Sequence, residues 1–325
     1  MFLSEPAVSN LTESGLIDRI ARWLGPLNPP APEGMGDDCA VYPPTADCQQ
    51  IVTSDALVYG QHFDSSISAR QAGIKLVNRN LSDIAAMGGT PERAILNLMC
   101  GPDLELAWLE AFFFGLRQAA AAVNLHIVGG DICRLNPGCF TSVLTIIGTV
   151  DKPLLRGTAQ PGDAILVTGE LGGSLAGKHA HFSPRLAEGR WLAQSGCCTA
   201  LMDLTDGLAK DLPSLLAEDQ TAKLLLDAVP LAADGSAAAA QSGRTPLEHA
   251  FCDGEDYELL FTLRAGESVP NFLSLWQQTF PGVRISHIGH ISHDLTPGSA
   301  ERLVDAANGQ ALPFSKGFEH FRGTS

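Results

Sequence analysis

The order of apolar and polar positions divides the chain into helical and extended stretches joined by short links. Leu16, Ile17, Ile20 and Leu24 share one helical face, Thr12 stands where an N-cap belongs, and Gly25-Pro26 breaks the run, so a helix is expected over 12–24. Asn28 to Gly34 is a proline-rich connection. Residues 39–42 and 50–53 read as strands, with Ala56 to Phe63 continuing as strand end or loop. Ser68 opens a helix running to Met87 and stopped by Gly88-Gly89; Ile74, Val77, Leu81 and Ile84 fall on one face, and Lys75, Arg79 and Asp83 on another. Ala94 to Met99 reads as a strand. A helix follows across 104–123 with Leu106, Leu109, Phe113, Leu116, Ala120 and Val123 inward, then strands at 125–128 and 139–147.

The second half opens with a strand over Ala164 to Thr168. Residues 231–245 are rich in Ala, Gly and Ser and read as a loop or short helix. A strand is expected over 258–263, a helix over 270–279 and a strand over 283–288. Strands alternating with helices through short links indicate an α/β protein. The stretch Asp151 to Asp163, with Pro153, Gly157, Pro161 and Gly162, marks the boundary between a first domain, 1–152, and a second, 153–325. A length of 325 residues suits two domains.

Composition narrows the function classes. The formal net charge of −15 repels nucleic acid and anionic membranes, although bound cations can still bring in an anionic substrate. No stretch reaches about 18 apolar residues without charge, and the N-terminus has no basic region followed by an apolar one. The eight cysteines include no CxxC pair and read as free thiols, so a cytoplasmic protein is expected.

The candidate chemistry is carried by acids. Gly36-Asp37-Asp38 and Thr53-Ser54-Asp55 come first, followed by Asp83, Asp131, Asp203 and Asp206. Two carboxylates held 4 Å apart repel by ~4 kcal/mol at an effective dielectric of 20, so a fold that gathers several needs cations, and hard oxygen donors point to magnesium. Each acid has a plainer reading. Asp83 lies four residues from Arg79, an exposed pair worth ~0.3–0.5 kcal/mol. Asp203 or Thr205 can cap a helix, which accounts for one acid better than for two. Gly129-Gly130-Asp131 lets backbone approach a ligand or is an ordinary turn. Arg156 suits phosphate or a plain surface. His62, after Gly60-Gln61, is a ligand contact or a structural histidine. The glycine-rich run 169–174 lacks the ending of a Walker loop and the spacing of a dinucleotide fingerprint. The spacing of His179, His181 and Cys197-Cys198 is irregular for zinc.

Taken in order, several stretches resemble the thiamine-monophosphate kinase family, within the superfamily of aminoimidazole ribonucleotide synthetase. They are Gly36-Asp37-Asp38, Thr53-Ser54-Asp55, Gly60-Gln61-His62-Phe63, Asn80 to Gly88, Gly129-Gly130-Asp131, Arg156 with Pro161-Gly162-Asp163, Asp203-Leu204-Thr205-Asp206-Gly207, Gly254-Glu255-Asp256-Tyr257-Glu258-Leu259 and Lys316 to Phe321. The resemblance implies a two-domain fold whose first domain forms a barrel with its copy across a homodimer, and whose second domain completes the active site. It implies ATP-dependent phosphorylation of thiamine monophosphate to the diphosphate. Asp38, Thr53, Ser54, Asp55, Asp83, Asp131, Asp203 and Asp206 would hold several magnesium ions. Gly130, Asp131, Arg156 and Thr205 would bind ATP, with Asp55, Asp131 and Arg156 carrying the transfer. His62, Glu255 and Ser315 would lie at the substrate. The chain departs from the family pattern at Asp253, where glycine often precedes Gly-Glu-Asp, and at Ser315, where some members carry tryptophan. Two other readings stay open: an amidine-forming synthetase of the same superfamily and a non-catalytic nucleotide-binding dimer.

Overall fold

Thr12 caps the first helix as its position predicts. Its Oγ1 accepts the Gly15 N–H at 3.2 Å, and helix α1 (Glu13–Leu24) buries Leu16, Ile20 and Leu24. The computed structural model describes residues 1–2, 6–35, 39–293 and 302–314. The chain divides into two units: Met1–Ile84, Gly89–Asp151 and Ala180–Ser183 form the first, and Ala85–Gly88, Lys152–His179 and Pro184–Ser325 the second.

In the first unit, strands β1 (Gln49–Val58), β2 (Thr90–Cys100), β3 (His126–Arg134) and β4 (Phe140–Val150) form one mixed sheet in the order β1-β4-β2-β3. β4 runs antiparallel to both neighbours, and β2 and β3 are parallel. Parallel neighbours need a crossover, which helix α3 (Leu106–Ala122) supplies. Period-two alternation sets the two faces of β4. Phe140, Ser142, Leu144 and Ile146 are buried, while Thr141, Val143, Thr145 and Ile147 are half-exposed. Phe140 packs against Trp108 and Phe112 of α3. Helix α2 (Ala69–Ala86) lies close to α3 through two glycines: a Cβ on Gly73 would sit 2.0 Å from the Phe112 carbonyl oxygen, and one on Gly115 2.0 Å from that of Arg70.

Two expectations change here. Residues 39–42 join no strand. Pro43 and Pro44 carry no N–H, Val41 is 62% exposed, and its N–H donates instead to the Pro32 carbonyl. Gly129-Gly130-Asp131, read as a loop after a strand, lies inside β3. Gly130 crosses β2 so tightly that a Cβ would be 1.8 Å from the Leu96 carbonyl oxygen, beside a register shift at Ala94/Ile95.

The second unit holds β5 (Ala164–Thr168), β6 (Cys198–Asp203), β7 (Thr221–Leu224), β8 (Leu259–Leu263), β9 (Ile285–Ser292) and β10 (Leu303–Asp305), in the order β10-β7-β9-β5-β8-β6. Only the β10–β7 pair is parallel among these neighbours. One face packs Ile165, Val167, Met202, Leu260 and Ile288 with Leu208, Leu212 and Phe251. On the other, Phe261 meets Phe272 and Trp276 of α8 (Val269–Thr279), and Trp191 of α4 (Leu186–Ser195) joins them. Burial on both faces is why β5 and β8 read as mainly apolar runs, with Thr168 and Thr262 as their polar members. β6, β7 and β10 were not expected: they are short, and their apolar residues alternate too little to stand out from the links. Three more helices, α5 (Leu208–Asp211), α6 (Ala233–Ser242) and α7 (Pro246–Cys252), fill the connections. Among the described residues no helix is long and apolar enough to cross a membrane.

Candidate active site

In the first unit the site residues grow from β1 and α2. Thr53 and Asp55 point to the α2 side of the sheet. Thr53 Oγ1 donates to Asp83 Oδ2 at 2.5 Å, Arg79 Nε donates to Asp55 Oδ2 at 2.9 Å, and Asn80 Oδ1 accepts the Asp55 N–H at 2.9 Å. The helix is buried on its polar side too: Lys75 and Asn80 are inaccessible, and Lys75 Nζ donates to the His62 carbonyl at 2.7 Å. Such polar burial holds only with partners in place, and here they fix the height of β1 against α2. Ser54, one residue on, takes the opposite face, where its Oγ lies 2.9 Å from Thr145 Oγ1. His62 Nδ1 accepts the Val58 N–H at 3.0 Å. A backbone N–H can only donate, so the ring is held with its proton on Nε2.

Asp131 is exposed on β3, at the other edge of the sheet from β1. A cleft of about 630 Å³ opens beside it, with Ile17, Ile20, Phe113 and Val128 as apolar wall and Gly129, Gly130 and Asp131 along one side. Met35 and Cys39 also line it. Asp38, between them in sequence, lies outside the described residues, as does Ser315.

In the second unit, two loops are laced together. The N–H of Glu255 donates to the Thr205 carbonyl, that of Tyr257 to Leu204, and that of Leu204 to Glu258. Gly254 permits the lacing: its φ is 74°, and a Cβ there would be 2.4 Å from the Thr205 carbonyl oxygen. Asp203, Thr205, Asp206 and Glu255 are thereby brought into one neighbourhood. Asp203 ends β6 and is 1% exposed; Arg156 Nη2, on a half-exposed side chain, lies 4.0 Å from its Oδ1. Asp206 pairs with Lys210 at 2.8 Å. Neither Asp203 nor Thr205 caps a helix. The cap of α5 is Gly207, and Asp211 Oδ2 accepts the N–H groups of both Thr205 and Asp206. Burial raises the Asp211 carboxyl to about 6, against the opposing pull of those bonds.

Glu255 takes a left-handed backbone, φ 55°, with its carboxylate against His179 Nδ1 at 3.2 Å and the Tyr257 hydroxyl at 3.1 Å. Its neighbour Asp256 is buried, accepts the Gly172 N–H through Oδ1, and has no hydrogen-bond partner at Oδ2; burial pushes it up to about 8. Glu258 is buried as well but differently served. Thr168 Oγ1, Lys178 Nζ and both Arg185 Nε and Nη2 donate to it, each at 2.8 Å. Burial alone would raise its pKa; the Arg185 bonds and the two cations outweigh that and hold it below the usual range. Lys178 escaped the sequence reading, and so did the roles of Asp211 and Arg185, because an acid's partner is set by the fold. The one available signal was the acid spacing 203, 206, 211.

Among the described residues no group of three or more His, Cys, Asp or Glu side chains is gathered for a metal ion. The acids nonetheless fit a hard cation. Thr53 Oγ1 beside Asp83 Oδ2 is a pair of hard oxygen donors, and three further acids lie near cationic side chains, which shows that positive charge is accommodated there: Arg79 at Asp55, Lys210 at Asp206 and Arg156 near Asp203.

Residues 36–150 match the family described as AIR synthase related protein, N-terminal domain. A thiamine-monophosphate kinase of Rhodopirellula baltica is 35% identical over 267 residues, which are 79% of this chain and 83% of that one. The solved thiamine-monophosphate kinase of Stenotrophomonas maltophilia K279a superposes with a TM-score of 0.74 at 28% identity, over 93% of this chain and 98% of that one. A further structure, AaThiL complexed with AMPPCP and TMP, gives 0.71 at 26% identity over 99% of both.

Proposed function

The chain belongs to the thiamine-monophosphate kinase family, and we infer that it transfers the terminal phosphoryl group of ATP to thiamine monophosphate, forming the diphosphate. The observation that carries this is the likeness over 99% of the chain to a structure complexed with AMPPCP and TMP. The acceptor phosphate has a second pKa of ~6 and is largely ionised at neutral pH, so no strong base is required. The obstacle is one polyanion approaching another, and a chain of net charge −15 needs local positive charge to overcome it.

The site residues divide by chemistry. Asp38, Thr53, Ser54, Asp55, Asp83, Asp131, Asp203 and Asp206 are oxygen donors that would hold magnesium. The ion, when bound, offsets charge on the phosphate oxygens and helps hold them in line. Arg156 and Thr205 would meet the nucleotide phosphates, the first through a half-exposed guanidinium. The cleft beside Gly130 and Asp131 has the apolar wall that suits a purine base. His62, held as the Nε2–H tautomer, is a donor suited to a phosphate oxygen, and Glu255, with Ser315, would face the substrate.

The protein would act as a homodimer. β1 and β3 are the two edges of the first sheet, three interstrand steps or about 14 Å apart. Asp55 and Asp131 therefore cannot ligate one ion within a single copy at magnesium–oxygen distances of ~2.1 Å. A barrel closed between two copies sets an edge of one against an edge of the other, which would unite them. Eight unpaired cysteines favour the reducing cytoplasm.

The test is an assay for thiamine diphosphate with ATP and magnesium, with thiamine itself as control acceptor. Diphosphate should form from the monophosphate alone. No turnover of the monophosphate at any magnesium concentration would overturn the reading.

A further inference from the structure

We propose that Ser242, His249 and Asp253 form a separate nucleophilic site, at which Ser242 takes an acyl group from small activated esters. The phosphoryl-transfer reading has no use for these residues, and Asp253 replaces the glycine frequent in the family at that position.

The site is built on a helix corner. Ser242 ends α6, Gly243 turns the chain with φ 74°, and Thr245 starts α7, its Oγ1 accepting the Glu248 N–H while Glu248 returns a bond to the Thr245 N–H. His249 and Asp253 then fall one helical turn apart. Ser242 Oγ lies 2.8 Å from His249 Nε2, and His249 Nδ1 lies 2.5 Å from Asp253 Oδ2. Arg244 Nη1 holds the second carboxylate oxygen at 2.7 Å, so Asp253 accepts from two directions. Nδ1 accordingly carries the imidazole proton, and Nε2 accepts the serine hydroxyl. This is the order of roles that makes a serine nucleophilic: hydroxyl to base, base to orienting carboxylate. Exposure fits as well, since Ser242 is open to solvent and His249 is only 4% exposed.

The step balances without a cofactor. Ser242 Oγ bonds to the carbonyl carbon as its proton passes to His249 Nε2. The carbonyl carbon's bond to the leaving oxygen breaks, and that oxygen takes the proton or departs as an anion. Where it departs as an anion, the imidazolium gives its proton to solvent. Water then bonds to the carbonyl carbon as it loses a proton to His249 Nε2, the bond from that carbon to Ser242 Oγ breaks, Oγ regains the proton, and the acid is released. The Arg244 N–H donates to Oγ itself at 3.2 Å, so it is not aimed at the carbonyl oxygen. Loss of one such donor slows a hydrolase ~10²–10³-fold, in acylation and deacylation alike. With an activated ester the good leaving group makes acylation the faster half, so the acyl-serine accumulates.

The same bonds could merely staple two helices, and a staple predicts no reactivity. The probe is p-nitrophenyl acetate on the full chain, following nitrophenolate release and mapping the acetyl group by peptide mass. A burst of one equivalent on the Ser242 peptide is expected. It should be absent in Ser242→Ala, whose fold is checked by circular dichroism, and slowed at least ~10²-fold in Asp253→Asn and His249→Gln. Equal labelling of Ser242→Ala, or wild-type rates in both other variants, overturns the proposal.

Discussion

At the scale of single residues, Asp131 and Asp256 separate function from folding. Asp131 is exposed on β3. Asp131→Asn should leave the melting temperature within error, yet weaken apparent magnesium affinity in turnover at least about tenfold, which is what loss of a mere supporting bond to a metal site costs. Near-wild-type turnover at low magnesium would remove Asp131 from the proposed magnesium ligands. Asp256 acts through stability. Burial raises its folded carboxyl from 3.8 to about 8, so between those values the native state holds a proton that the unfolded state releases. Stability from this group is therefore full below the lower value and falls as pH rises, by on the order of 1.4 kcal/mol per unit, flattening above about 8. Asp256→Asn should remove that slope in melting curves taken across the window. Residue type and glycine neighbours made the acids legible in the sequence. Their partners were not, because Arg79 on Asp55, Arg185 on Glu258 and the Thr205 N–H on Asp211 join residues through packing.

At the scale of elements, adjacent glycines in β3 give a paired test. A Cβ on Gly129 meets nothing within 4 Å, whereas one on Gly130 would be 1.8 Å from backbone. Gly129→Ala should be neutral or slightly stabilising through the unfolded chain, and Gly130→Ala should lower the melting temperature by separating β3 from β2. Thermal scans of both variants check this, and equal behaviour would contradict the close approach. The helix pair offers a second case. Ala in place of Gly115 gains ~1 kcal/mol of helix propensity, but its methyl would lie 2.0 Å from the Arg70 carbonyl oxygen. Overpacking of ~1–3 kcal/mol should win, and a fall in melting temperature is expected. The helices α1, α2, α3 and α8 were readable because each carries a long apolar stripe with caps or glycine stops. β6, β7 and β10 were not, since strands of three to six residues show too few alternations, and what defines them is their place beside β8, β9 and each other. The strand assigned to 39–42 failed for the same reason in reverse: its residues suit a strand, but no sheet edge receives them.

At the scale of the whole molecule, the first sheet is half-covered. Its α2 and α3 side is covered except near Thr53 and Asp55, while the other side leaves Val52 65% and Ile95 37% exposed, with Val143 and Ile147 half-buried between them. If the protein is the homodimer proposed above, lysine at Val52 or Ile95 should leave each copy folded and shift dimer to monomer in sedimentation, with turnover lost in parallel. A sharper outcome follows from the edges. If Asp55 of one copy works with Asp131 of the other, Asp55→Asn and Asp131→Asn each destroy both sites of a homodimer. Mixed dimers differ: one site collects both changes, and the other has neither. Co-expressed variants, carrying different tags and purified through both, should regain about half the wild-type turnover per dimer. If both acids served the site of their own copy, each site of the mixed dimer would still lack one, and activity would stay at the level of the single variants. The separation of β1 from β3 by two intervening strands favours the first outcome.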